Sequence, residues 1–290
     1  MAQREYIIFT DTNADLPEEY LKENGLGVLA LSVTIDDVFY NGVDEMIDPK
    51  EFYAKMRAGV PAKTMQVNPD QAEKAFERWL EKGYDLVYIA FSSGLSGSYN
   101  SAVIAAQDLA PRYPEQKILI IDSLAASLGQ GLLVSYAVEM KKQGKTIDEV
   151  AAWVEENKLH LCHLFTVDDL NHLYRGGRVS KTTAIVGTVL NIKPTLHVDD
   201  AGKLIPVGKV RGRKQSLNAL VDMMAKQVGH YQNDVFFISH GDCIEDAEYV
   251  AKLVEERFHI KKNLINYVGP TIGAHSGPGT VALFFLGEKR

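Results

Sequence analysis

The chain has few of the features that most simply assign a protein to a class. It carries two cysteines in 290 residues, Cys162 and Cys243, too few for a disulfide framework and without the spaced partners of a metal site. A reducing cytoplasm is therefore the expected setting. Long hydrophobic runs are missing too: stretches such as Val281-Ala282-Leu283-Phe284-Phe285-Leu286 fall far short of a membrane span, which points to a soluble protein. Asp11 follows Ile7-Ile8-Phe9 too closely for a secretory leader. Positive charge is not in excess, and the formal net charge of -7 argues against general nucleic-acid binding. Basic residues nevertheless gather between Arg175 and Lys214, where they could meet an acidic or phosphorylated partner. No Lys-Ser or Lys-Thr closes a Walker loop, and no G-x-G-x-x-G marks a dinucleotide site. His160, His163 and His172 lack metal-ligand spacing, and no internal repeat is evident.

What is present is a 46% hydrophobic composition, enough for a large core and for two α/β lobes, divided near residues 157–159 into 1–158 and 159–290. Hydrophobic patterning predicts strands at 6–10, 28–35, 85–90 and 117–121 in the first lobe. In the second they fall at 159–167, 194–198, 203–210, 234–240, 263–268 and 280–286, with an aspartate-rich hairpin turn at 199–202. Helices are predicted between these runs. Asp48-Pro49 and Asn68-Pro69 each place a cap before a proline, and Thr146-Ile147-Asp148-Glu149 has the form of a capping box. A helix after residue 123 carries Gly129 and Gly131, which close packing against a neighbour or a ligand would explain. Residues 60–67, with Thr64, and 269–279, with His275, read as loops.

The chain is organised around Phe91-Ser92-Ser93-Gly94-Leu95-Ser96-Gly97-Ser98-Tyr99, which follows an apolar strand and precedes a helix. At such a junction, unpaired N–H groups and the helix dipole favour an anionic group, while the glycines allow close backbone approach and the serines offer uncharged donors. The ordinary alternative is a strand-to-helix turn in which one serine caps the helix. Asp11 and Asp15 likewise read first as turn and capping residues, with support of a ligand site as the second reading. His275 stands between small residues and a Gly-Pro-Gly turn, as a side chain positioned by a special backbone would.

Taken together and in order, Thr10-Asp11-Thr12-Asn13-Ala14-Asp15-Leu16, Lys63-Thr64-Met65-Gln66, Ser92 to Tyr99, Asp122-Ser123, Gly176-Gly177-Arg178-Val179-Ser180-Lys181, Ile192-Lys193-Pro194 and Ala274-His275-Ser276-Gly277-Pro278-Gly279 resemble the DegV family, the fatty-acid-binding proteins that serve bacterial fatty acid kinase. Met65 departs from the family, which usually has serine there. The resemblance implies a two-lobed α/β fold, each lobe a sheet flanked by helices, with one long-chain fatty acid enclosed between the lobes and no cofactor. It implies a carboxylate held by Thr64 and Ser96, with His275 in the head-group network and Ser93 and Gly97 contributing from the serine loop. It also implies that Arg178, Arg211 and Arg213 face an ATP-dependent fatty acid kinase subunit, which phosphorylates the carboxylate to an acyl phosphate.

Two other chemistries use residues on hand. A serine hydrolase would take Ser96 as nucleophile, His275 as base and Asp11 or Asp122 to orient it, although Ser98 stands where a nucleophile elbow needs glycine. A phosphoryl carrier would use His275 or His240.

Overall fold

The computed structural model describes residues 4–180 and 191–290. β1 (Tyr6–Asp11) is buried at every position, and a 3-10 turn at Thr12–Ala14 and helix α1 (Glu18–Glu23) return the chain to β2 (Gly27–Leu29). The run predicted as one strand over 28–35 is two. After Leu29 the chain leaves the first sheet and re-pairs as β3 (Ser32–Ile35), between β4 (Val38–Tyr40) and β5 (Ala62–Met65), in a small antiparallel sheet. Continuous hydrophobicity conceals the change of sheet because both segments are largely buried. Helices α2 (Pro49–Arg57) and α3 (Pro69–Leu80) begin where Asp48 and Asn68 accept backbone N–H groups and a proline follows. With β6 (Asp85–Ala90), α4 (Ser98–Leu109) and β7 (Ile118–Asp122), the first sheet is complete in the order β2-β1-β6-β7, every pair parallel. Helices α5 (Leu128–Lys142) and α6 (Ile147–Asn157) follow, the second entered through the reciprocal capping box of Thr146 and Glu149.

The second half contributes β8 (Leu161–Thr166), α7 (Leu170–Arg175), β9 (Ile192–Val198), β10 (Leu204–Arg211) and α8 (Arg213–Gln227). It ends with β11 (Val235–His240), α9 (Ile244–Phe258), β12 (Lys262–Tyr267), α10 (Pro270–Ser276) and β13 (Val281–Leu286). Its sheet runs β10-β9-β8-β13-β11-β12, antiparallel except for the β11–β12 pair. The segment 269–279, read as a loop, thus contains a helix, with Pro270 in its first turn and Gly277 just past its end.

The described strands sort by half, those before residue 158 into the first two sheets and those after it into the third. The core does not sort that way. One buried cluster runs from Ile8 and Val87 through Leu128, Leu132 and Leu133 to Phe165 and Phe284. Helix α5 is the layer between the sheets, touching β1 and β6 on one side and β8, β11 and β13 on the other. Its amino-terminal half is accordingly apolar almost all round, as a doubly covered helix must be. The same crowding accounts for its glycines. A methyl group on Gly131 would lie 2.7 Å from the Ala14 carbonyl oxygen, and one on Gly129 would lie 2.3 Å from His163 Nε2.

Gly131→Ala should therefore destabilise the protein by about 1–3 kcal/mol through overpacking, against the helix preference for alanine of about 1 kcal/mol. Thr146→Ala should cost about 1 kcal/mol through loss of the cap. Urea unfolding measures both, and a stabilised Gly131→Ala protein would remove the close-packing account.

Candidate functional site

A cavity of about 520 Å³ lies along the seam between the halves. Leu31, Phe91 and Leu95 line it from the first half, and Phe165, Leu173, Val198, Leu204, Val268, Ile272, Ala282 and Phe284 from the second. Phe165, Leu173 and Phe284 are buried, whereas Thr64, Ser96, Arg178 and His275, which also line the cavity, are only half-buried. The site is therefore apolar at depth and polar at its exposed end. Its volume falls in the range of about 300–1,000 Å³ usual for small-molecule pockets.

At the polar end, Thr64 and His275 meet across the seam, with Thr64 Oγ1 2.8 Å from His275 Nε2. Thr64 is not on a loop as expected. It sits in β5, opposite Val33, in a strand whose sides alternate between half-buried and exposed, and the strand fixes where its hydroxyl points. His275 is held in the last turn of α10, and a methyl group on Gly176 would lie 2.2 Å from its Nδ1, so only glycine fits beside the ring. Burial, reinforced by the Arg178 guanidinium, depresses the His275 pKa to about 4. The imidazole is thus neutral near pH 7. Met65, the departure from the family pattern, also lines the cavity and is 52% exposed.

The serine loop is built differently from the expectation of free amides. Ser92 N–H donates to Ala125 O, Ser93 N–H to Asp122 Oδ1, Gly94 N–H to Ser92 Oγ, and the Leu95 and Ser96 N–H groups to Ser92 O. Gly97 N–H donates to Gln66 Oε1 and Ser98 N–H to Ser96 Oγ. With these amides taken, the loop offers hydroxyls rather than a backbone nest. Ser96 Oγ lines the cavity, 3.1 Å from Ser98 Oγ. Ser93 and Gly97 do not line it: Ser93 is exposed, and the one donor of Gly97 is committed to Gln66. Asp11 braces the loop from behind, accepting from Phe91 N–H, Tyr88 Oη and Gln130 Nε2. Burial raises its pKa and these donors oppose the rise.

The three arginines part company. Arg178 lines the cavity rather than standing on open surface, and its guanidinium donates to the carbonyls of Gly176 and Leu95. Arg213 is paired inside the fold with Asp246 at 2.7 Å and lies 3.6 Å from Asp168. Arg211 is exposed at the end of β10, the edge strand of its sheet. Lys181 lies outside the described residues.

The hydrolase arrangement is not formed. Among the described residues no hydrogen bond joins His275 to Ser96 or to a carboxylate, and Asp122 accepts from Ser93 and Leu124 N–H groups. His240, the other candidate carrier of a phosphoryl group, is 2% exposed and accepts from Cys243 N–H. Among the described residues, no group of acidic, histidine or cysteine side chains is placed to hold a metal ion.

Sequence reasoning singled out only Asp15 of a second polar set at the cavity wall, because its members come from four separate segments. Thr271 Oγ1 donates to Asn13 Oδ1, while Ser127 Oγ donates to Asp15 Oδ2 and lies 2.8 Å from Ser239 Oγ. Asp15 is in the left-handed backbone region at φ 52 and also accepts from Gly269 N–H at 2.9 Å. Burial, partly opposed by these donors, raises its pKa to about 8.

The cavity and its family of neighbours point the same way. A family model described as "Uncharacterised protein, DegV family" matches residues 6–288. The chain belongs to the DegV family. A DegV domain-containing protein of Clostridium perfringens is 48% identical over 99% of both chains. The structure of a DegV family protein from Thermus thermophilus, described as binding fatty acid, superposes with a TM-score of 0.87 at 26% identity, covering 98% of this chain and 99% of that one. DegV of Bacillus subtilis, described as a fatty acid binding protein, gives 0.84 at 26% identity over 99% and 100%. The two-lobed α/β fold implied by the resemblance is thus the fold of these proteins, and among the described residues no helix is long and apolar enough to cross a membrane.

The two shifted groups oppose each other with pH. His275 stays neutral in the fold, so it withdraws stability as pH falls below its ordinary 6.5 toward about 4. Asp15 holds a proton up to about pH 8, so its contribution is full below its ordinary 3.8 and is lost as pH rises through about 8. Asp15→Asn does not titrate, and it matches the protonated carboxyl: its Oδ1 accepts from Gly269 N–H and its Nδ2 donates to Ser127 Oγ. Relative to the unaltered protein, it should gain stability steadily from about pH 5 to about pH 8 in urea unfolding. A constant difference across that interval would show an ordinary carboxylate at position 15.

Proposed function

We propose that this DegV protein binds one long-chain fatty acid and presents its carboxylate to an ATP-dependent kinase subunit. The observation that carries the reading is the cavity itself: an apolar interior ending at Thr64, Ser96, His275 and Arg178. A carboxylate is rich in lone pairs and needs donors: with the His275 Nε2–H donating to Thr64 Oγ1, the Thr64 and Ser96 hydroxyls supply them without enclosing it. Each charge-assisted hydrogen bond is worth about 1.5–3 kcal/mol, and each buried methylene about 0.8. A tail of roughly fourteen methylenes therefore offers a gross ~11 kcal/mol before the costs of association. The tail dominates affinity and the head group fixes orientation.

In this role the protein contributes no nucleophile of its own. A carboxylate oxygen of the bound acid attacks the γ-phosphorus of ATP on the kinase, the bond to the β-phosphate oxygen breaks, and acyl phosphate and ADP result. The neutral His275 leaves that oxygen unprotonated, and the Arg178 charge beside it favours the ionised head. Of the two arginines in the basic segment, Arg211 is exposed to meet the kinase, while Arg213 serves the fold through Asp246.

Native mass spectrometry of the purified protein should reveal one bound acyl chain, and a protein isolated without lipid that fails to take up a long-chain acid would overturn the proposal. With the kinase subunit and ATP, Thr64→Ala and Ser96→Ala should each lower acyl phosphate formation by about tenfold or more, as loss of a charge-assisted bond predicts. Their melting temperatures should hardly change; a fall as large as a core deletion would mark the hydroxyls as structural. Arg211→Glu should bind fatty acid normally yet turn over poorly with the kinase, and undiminished turnover would take Arg211 off the docking face.

A further inference from the structure

Away from its polar end, the cavity stops at a definite row of the third sheet. Thr280, just before β13, shares one strand face with Ala282, Phe284 and Leu286; the first three line the cavity and Leu286 does not. On β8 His163 and Phe165 line it and Leu161 does not. The register matches the strands row by row, Ala282 with Phe165, Phe284 with His163 and Leu286 with Leu161. Thr280 donates to the carbonyl of Ser276, the residue after His275, at 3.2 Å, so the polar end lies toward Thr280. Phe284 stands four residues, about 13 Å, further along the strand.

The space closes there because α5 comes down onto the sheet. A methyl group on Gly129 would lie 2.3 Å from His163 Nε2 and 2.8 Å from Phe284 Cδ1. The His163 ring is pinned at both nitrogens: Nε2 accepts from Ala126 N–H at 3.1 Å, and Nδ1 donates to Leu161 O at 3.2 Å. Phe284 meets that ring edge-on, with centroids 5.3 Å apart and planes at 89°. Each of the two residues is 2% exposed, as suits a floor that shows the cavity little more than an edge. We infer that Phe284, wedged between the His163 ring and α5, fixes the longest tail the cavity accepts. Ala282, one row nearer the polar end, is the small residue that keeps the way to this floor open. The inference rests on the fatty-acid reading above and narrows it to acids whose terminal methyl reaches Phe284 and no further. A longer tail must fold back or leave its head group unseated.

The test uses the intact protein stripped of lipid and a series of unbranched saturated acids of increasing length, in competition binding. Affinity should rise about fourfold with each methylene until the terminus meets Phe284, then level or fall. Phe284→Ala and the milder Phe284→Leu should each carry this break to longer acids, the first by at least about two methylenes. Ala282→Leu, which grows a side chain into the cavity, should bring it to shorter ones. Leu286→Val, one row behind the floor, should lower the melting temperature slightly and leave the break where it was. Thermal melting identifies the folded variants, and Phe284→Leu and Ala282→Leu decide the matter if Phe284→Ala does not fold. If acids bind without a break, or the break stays put in Phe284→Leu and Ala282→Leu, or it moves as far in Leu286→Val, this inference falls and the fatty-acid reading stands. If no acid binds, both fall together.

Discussion

The hydrogen bond between Thr64 Oγ1 and His275 Nε2 joins a strand from the first third of the chain to a helix near its end, and it is one stitch in a longer seam. Tyr53 Oη donates to Val268 O, Asn266 Nδ2 to Asp15 O, Ser92 Oγ to Gly202 O and Ala126 N–H to His163 Nε2. Each such bond contributes only about 1 kcal/mol net, but a buried polar group left without its partner costs about 1–3 kcal/mol. A seam of this kind tolerates one alignment of the halves and penalises others. The cavity lies in that seam, so its shape is set by the same alignment.

Chemistry is distributed along the cavity by burial. At the exposed end the donors are hydroxyls and a histidine kept neutral, with the single guanidinium of Arg178 anchored on two carbonyls so that it lends charge without closing over the site. Deeper, phenylalanine and leucine take over, and the Ser127 and Ser239 hydroxyls answer to one another and to Asp15. Asp11, buried behind the serine loop, is structural in its contacts but positions Phe91, whose side chain lines the cavity.

Much of the framework was legible because burial and sequence periodicity agree there. The strand Asp85–Ala90 and the helix Ile244–Phe258 fall where hydrophobic pattern puts them, and the caps at Asp48, Asn68 and Thr146 are real. β5 was missed because Lys63, Thr64 and Met65 present a half-exposed strand with no continuous apolar side, made stable by its distant partner β3. Helix α10 was missed although Pro270 and Gly277 bracket it, since glycine and serine within so short a segment mimic a loop. The family pattern singled out Thr64, Ser96 and His275, which the fold gathers at one end of the cavity. It could not separate Arg178 from Arg211 and Arg213, because a guanidinium is assigned to a cavity, a surface or an internal ion pair only by tertiary packing.

Helix α5 is gripped by a sheet on each side, and its glycines bring it against the Ala14 backbone and the His163 ring with no slack. Among the described residues, swinging the halves apart like a clamshell would therefore tear this rod from a sheet on one side or the other.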